Sequence, residues 1–276
     1  MNINVPRKKN GLPYVSKSDI EEITQLHLEQ FNADLLKEPV PIPIEEFLQN
    51  YLKLDMDYAD ITHNISILGL TAFDSGYLKV YDLEGNKERF IYVEEGTVVI
   101  DNSLLKSDKE GRFRFTCGHE GGHWIFHREM FKLNKKQINT DKCFYRDKEN
   151  VLTGKKFKTD EEWMEWQANY TSSCLIMPRK TFIMAARKIF KEANIKDGSV
   201  TLGKDPGIDV FAQYHIPRRI ADIFKVSIQA ASIRLKELKL IKYTKILSII
   251  FFIMQFKETF LSDFYISDIL QISNFV

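Results

Sequence analysis

Three of the six histidines in this chain fall within nine residues: His119, His123 and His127. The segment Arg114-Phe-Thr-Cys-Gly-His119-Glu120-Gly-Gly-His123-Trp-Ile-Phe-His127 contains H-E-x-x-H. Residues four apart share one face of an α-helix, so His119 and His123 can offer two imidazoles to a single metal ion. Glu120 sits beside them, placed to take a proton from a water that the metal acidifies. Zinc suits such a set because it tolerates an open coordination position and brings the pKa of a bound water down to about 7. The chemistry expected is metal-assisted hydrolysis with one zinc ion, His119 and His123 as ligands and Glu120 as general base.

A catalytic zinc site needs a third protein ligand. A histidine ten positions after the first, behind a helix-ending glycine, fails because Phe126 and Glu129 stand at those positions. A carboxylate from a later helix is the alternative. Thr159-Asp160-Glu161-Glu162 reads as a capping box that opens such a helix. At 3.6 residues per turn, Trp163, Trp166, Tyr170 and Cys174 gather on one face as a core stripe, and Glu165, Ala168, Asn169 and Ser172 lie opposite. A carboxylate flanked by small residues can approach another helix closely, which favours Glu165. Glu161 and Glu162 are weaker candidates because they lie in the first, fraying turn. His127 and Asn169 are candidates for hydrogen bonds behind the ligands. Tyr145, Tyr170 and His127 are open candidates for stabilising an oxyanion, with none favoured.

These residues must be held by a mixed architecture. Ser18-Asp19-Ile20-Glu21 reads as a capping box, followed by a helix with Ile20, Ile23, Leu26 and Phe31 as its apolar stripe. Pro39, Pro41 and Pro43 break the pattern, and a short helix is expected around Ile44 to Leu54. From about Ile65 to Leu105, β-branched and aromatic segments alternate with Gly, Asn and Asp turns, which predicts a small antiparallel sheet with hairpins. After Gly111 the chain is expected to be mostly helical. The expected division is an N-terminal helical segment (1–60), a catalytic core (61–180), a helical C-terminal part (181–243) and a tail of unknown role (244–276).

Arg114-Phe115-Thr116, His119-Glu120-x-Gly122-His123, Glu165-x-x-Ala168-Asn169 and Leu175-Ile176-Met177-Pro178 together resemble the ImmA/IrrE family of metallo-endopeptidases. Order and spacing match over about Ile65 to Pro178, and more weakly to about Ile241. The resemblance implies an α+β, zincin-like catalytic domain with gluzincin-type ligation, in which His119, His123 and Glu165 bind zinc and Glu120 is the base. It further implies a protein substrate, a helix-turn-helix repressor of a mobile element or stress response. Two departures stand out. Gly121 replaces a large apolar residue, and two adjacent glycines cost a helix about 1 kcal/mol each relative to alanine. The stretch Tyr170-Thr-Ser-Ser-Cys174 stands where the family has Phe and small alanines.

Composition narrows the partners. The charges nearly cancel, 39 basic against 38 acidic for a net +1, so no global basic field for nucleic acid exists. The charge is uneven, however. Arg128 to Lys158 carries ten basic and four acidic residues, 10 − 4 = +6, and reads as a surface loop, either a solvated face or a lip of the cleft. A rival function class lies in Pro217 to Leu238, which resembles a helix-turn-helix. Ala221 and Phe224 would pack its first helix and Ser227 would cap its second. Arg218, Arg219 and Arg234 would offer phosphate contacts, making a DNA-binding regulator or scaffold the alternative. The cysteines Cys117, Cys143 and Cys174 are odd in number and widely spaced, without C-x-x-C, so neither a disulfide framework nor a thiolate zinc knuckle is expected. The N-terminus lacks the apolar stretch of a signal peptide. The longest apolar run, Ile246 to Phe256, is about half the roughly 20 residues that a membrane helix needs. A cytoplasmic setting without a membrane span is the expectation.

Overall fold

The computed structural model describes residues 5–133 and 159–244. Helix α1 (Lys17–Asn32) starts earlier than Ser18. Ser16 is its N-cap: its hydroxyl accepts from the Asp19 amide, and the Asp19 carboxylate accepts from the Ser16 amide. That reciprocal pair does the work expected of Ser18 and Glu21, and Glu21 then lies inside the helix. The buried face is Ile20, Ile23, Thr24, His27 and Leu28, a spacing of three, four, seven and eight from Ile20. Leu26, expected in the stripe, falls outside that arc and is exposed. Helix α2 (Ile44–Glu46) runs on as a π-turn over Phe47–Tyr51.

The sheet region differs from the single antiparallel sheet expected. Strands β1 (Asp55–Ala59), β2 (Gly69–Thr71) and β5 (Thr97–Asp101) form one sheet in the order β1-β5-β2, with β1 and β5 parallel and β2 and β5 antiparallel. Strands β3 (Gly76–Asp82) and β4 (Lys87–Val93) form a separate antiparallel hairpin, tied to the end of β1 by a bridge between Asp60 and Tyr81. Strand β1, Asp-Met-Asp-Tyr-Ala, is short and buries only Ala59 fully, so its brief alternation carries little signal. Central β5 is buried throughout. Its alternate side chains serve two cores: Val98 and Ile100 join the main helical core, and Val99 joins a smaller core with Leu70, Leu78, Val80 and Val93 under the hairpin. Period-two geometry makes both possible from one strand.

Two long helices cover the other side. α3 (Glu110–Leu133) and α4 (Asp160–Ile176) pack along each other. Gly118 faces Ser172 while Gly122 faces Ala168 and Thr171, so the two run antiparallel. α4 also packs on α1. The two-faced α4 expected from its sequence is therefore an enclosed helix: every residue from Gln167 to Ile176 is buried except Asn169, and it is Trp163 and Trp166 in the first turns that remain half-buried.

The C-terminal part comprises α5 (Arg179–Glu192), β6 (Val200–Leu202), α6 (Pro206–Val210), α7 (Ile216–Phe224), α8 (Ile228–Glu237) and β7 (Ile241–Tyr243), with β6 and β7 parallel. The α7–α8 turn passes through Lys225 in the left-handed region, and Ser227 caps α8 through the Ala230 amide. This turn presses on the body: a Cβ on Gly111, at the start of α3, would lie 2.6 Å from the Ser227 nitrogen. The main core extends without a break from Leu12 to Ile241. Among the described residues no helix is long and apolar enough to cross a membrane. Most of the basic connector after Leu133, and the apolar run from Ile246, lie outside the described residues.

Candidate metal centre

The centre is built where α3 and α4 touch. His119 and His123 stand one turn apart on α3, both fully buried, and their Nε2 atoms are 3.0 Å apart. Glu165 reaches across from α4. Its carboxylate oxygens lie 3.4 Å from His119 Nε2 and 3.2 Å from His123 Nε2, and its side chain keeps 13% exposure. The structure thus brings together the two histidines and the leading carboxylate candidate as a group that could hold a metal ion. Glu161 and Glu162 belong to the first turn of α4 and are not in that group.

Small residues make the close approach possible. A Cβ at position 122 would sit 3.0 Å from Thr171 Cβ and 3.2 Å from Ala168 Cα. Gly121 lies against a different neighbour: a Cβ there would meet Leu48 Cδ2 at 2.7 Å. Gly121 therefore serves packing against the π-turn and not contact with α4. Ser172 hydroxyl donates to the Phe115 carbonyl at 2.7 Å, a further tie between the two helices. Arg114 fastens the start of α3 to the proline-rich segment by donating to the Ile42 carbonyl.

Glu120 is fully buried beneath β2. Thr71 Oγ donates to its Oε2 at 2.7 Å. Gly69, on the same strand, lies so close that a Cβ would meet Glu120 Oε1 at 2.8 Å. Thr71 and Gly69 carry no motif of their own, and sequence reasoning missed both.

Other polar residues stand behind the histidines. Asn169 Oδ1 is 3.1 Å from His119 Nδ1. His127 Nδ1 is 3.0 Å from His123 Nδ1, and its Nε2 is 2.8 Å from Gln167 Oε1. Gln167, also missed from sequence, donates its Nε2 to the Pro13 carbonyl at 2.9 Å. Burial acts to lower the His123 pKa, but the Glu165 and Glu120 carboxylates outweigh it and raise it. Burial, aided by the neighbouring His123 and Arg7 charges and opposed by the Gln167 hydrogen bond, pushes His127 well below the ordinary histidine range.

Several expected roles are displaced. Tyr170 is turned away from the centre, donating its hydroxyl to Glu21 on α1. His127 has both ring nitrogens engaged. Neither is positioned for an oxyanion, and Tyr145 lies outside the described residues. Arg234 does not offer a phosphate contact. It is fully buried, pairing with both Glu21 oxygens at 2.7 and 2.9 Å and donating to the Met177 carbonyl. A guanidinium that closes a buried ion pair cannot also grip a DNA backbone. Arg219 pairs with Glu192, and Arg218 is exposed.

Compared with known proteins, the chain matches no curated protein. Residues 84–236, a span holding α3 to α7, match the IrrE N-terminal-like domain, a peptidase family. That match covers more than half of the chain, and the protein belongs to this family.

Proposed function

We propose that the chain is a zinc-dependent endopeptidase with a zincin-like fold and gluzincin-type ligation, in which His119, His123 and Glu165 hold one zinc ion. The observation that carries this reading is the pair of imidazole nitrogens 3.0 Å apart, with the two Glu165 oxygens 3.4 and 3.2 Å from them. Donors on a tetrahedral zinc ion with bonds of about 2.0–2.1 Å lie about 3.3 Å apart, so the set fits the metal. Residues 61–180 would form the catalytic core, with 1–60 and 181–243 as helical segments packed on it.

A zinc ion bound there supplies Lewis acidity, polarising a carbonyl and acidifying water. Glu120, held by Thr71, takes the proton of the attacking water and returns it to the leaving amine. His119 is oriented by Asn169. An extended substrate segment would lie beside β2, the edge of the three-stranded sheet and the strand that touches Glu120. The substrate we favour is a helix-turn-helix repressor in a cytoplasmic setting, whose cleavage relieves repression. The burial of Arg234 takes one of the three arginines away from the rival reading, in which the chain itself reads DNA.

Metal analysis and cleavage of a co-expressed repressor test this. Glu120→Gln should keep zinc and lose about 10²–10⁴-fold in hydrolysis, and Glu165→Ala should lose zinc. Wild-type zinc content in Glu165→Ala would reject the third ligand. Full activity of Glu120→Gln would reject the peptidase reading.

A further inference from the structure

The N-terminal strap, from Arg7 to Tyr14, is folded on itself and clamped onto the metal-centre helices. Arg7 and Pro13 bridge, the Lys8 amide donates to the Leu12 carbonyl at 2.8 Å, and the Tyr14 amide donates to the Pro6 carbonyl at 2.7 Å. Leu12 is fully buried in the main core. Arg7 also donates to the Phe126 carbonyl on α3, and Asn10 donates to Asp160 on α4. The Pro13 carbonyl, however, points inward, to Gln167.

A chain of directed hydrogen bonds starts at that carbonyl. A backbone carbonyl only accepts, so Gln167 presents its NH₂ to Pro13 and its oxygen to His127. That oxygen also only accepts, so His127 carries its proton on Nε2. The His127 Nδ1 then faces His123 Nδ1 at 3.0 Å, close enough that one of the two must donate, and a metal held on His123 Nε2 leaves His127 Nδ1 as the acceptor. His123 therefore carries its proton on Nδ1 and turns the lone pair of Nε2 toward His119 and Glu165. The tautomer that a metal requires of His123 is set three residues away, by the backbone of the strap.

We infer that Pro13, Gln167 and His127 form a positioning relay that fixes the ligating tautomer of His123 and couples the N-terminal strap to metal binding. The inference rests on the metal reading of the site. Because coupling of this kind is reciprocal, metal should tighten the strap as the strap tightens metal. Gln167 and His127 are positioning residues, since they act only through His123.

The test uses the full chain, with zinc affinity measured against a competing chelator and hydrogen exchange followed at the Lys8 and Tyr14 amides. Gln167→Leu and His127→Phe should each weaken zinc about 10–100-fold, the usual loss when the partner of a ligating histidine is removed. His127→Asn places an acceptor oxygen where Nδ1 stood, and should recover affinity to within about 3-fold. Zinc should slow exchange in the strap of the wild type and not in Gln167→Leu or His127→Asn, a coupling that a merely structural role would not produce. Wild-type affinity in Gln167→Leu overturns the relay, and so does an equal loss in His127→Phe and His127→Asn. If zinc leaves strap exchange unchanged in the wild type, the coupling to the strap is overturned. A wild type that binds zinc no better than His119→Ala sinks the metal reading itself, and the relay with it.

Discussion

Thr71 holds the Glu120 carboxylate from a strand that no spacing rule points to. H-E-x-x-H is legible in sequence because four residues of helix close the geometry locally. The hydroxyl that orients Glu120 comes from a strand 49 positions away, and only folding brings it there. Thr71→Val keeps the side chain's shape and removes the donor. A hydrogen bond to a charged group is worth about 1.5–3 kcal/mol, so the variant should lose roughly 10–100-fold in kcat/KM with zinc content unchanged. Parallel metal analysis and peptide hydrolysis measure this, and loss of zinc would show that Thr71 holds the fold and not the base. Gln167 was invisible for a related reason. Its partners, His127 and the Pro13 carbonyl, are 40 and 154 positions away.

At the scale of elements, the α3–α4 contact decides whether Glu165 reaches the histidines. Glu165 was legible as a candidate because a carboxylate beside small residues suits a close helix crossing. The periodicity nevertheless misjudged the other face of α4, since helix α1 covers it and no pattern within α4 announces a third helix. Gly122→Val should force α3 and α4 apart. Overpacking costs about 1–3 kcal/mol, and zinc affinity should fall with it, read by denaturant unfolding and chelator competition. Gly121→Ala meets the side-chain ends of Leu48 and Leu52 and nothing on α4, and it gains about 1 kcal/mol of helix propensity, so it should keep wild-type zinc affinity. The Glu21–Arg234 pair locks α1 to α8. Burial would raise the Glu21 pKa, but Arg234 outweighs it and holds it below the ordinary value. Its stabilisation is therefore fully present above the unfolded carboxylate value of about 4.3 and is lost as pH falls through the lowered folded value. Arg234→Met leaves a buried carboxylate without its counter-charge and should cost about 3–5 kcal/mol at pH 7. The gap from wild type should narrow by pH 3, as urea unfolding at the two values would show. A gap of the same size at both would mean that packing and not charge holds this joint.

At the scale of the whole molecule, the donors of the centre are pinned by segments from across the chain, so binding and folding should be linked. Zinc at about 100 times its Kd should add about 2.7 kcal/mol. For a domain of this size that is a rise of roughly 5–10 °C in Tm. The rise should vanish in Glu165→Ala and in chelator, and a shift that survives in Glu165→Ala would place the stabilising ion elsewhere. By itself the sequence determined the motifs: the histidine pair and its glutamate, the carboxylate helix, the family they resemble, and the mixture of helices and strands. These are local patterns, written in the periods of a helix and a strand. Tertiary structure decided what those patterns were joined to. It made β1 and β5 parallel, sank Arg234 into an ion pair instead of leaving it for DNA, and brought Thr71, Gln167 and Pro13 to the centre. Contacts between residues far apart in sequence leave no period to read, and each partner becomes visible only when the chain closes on itself.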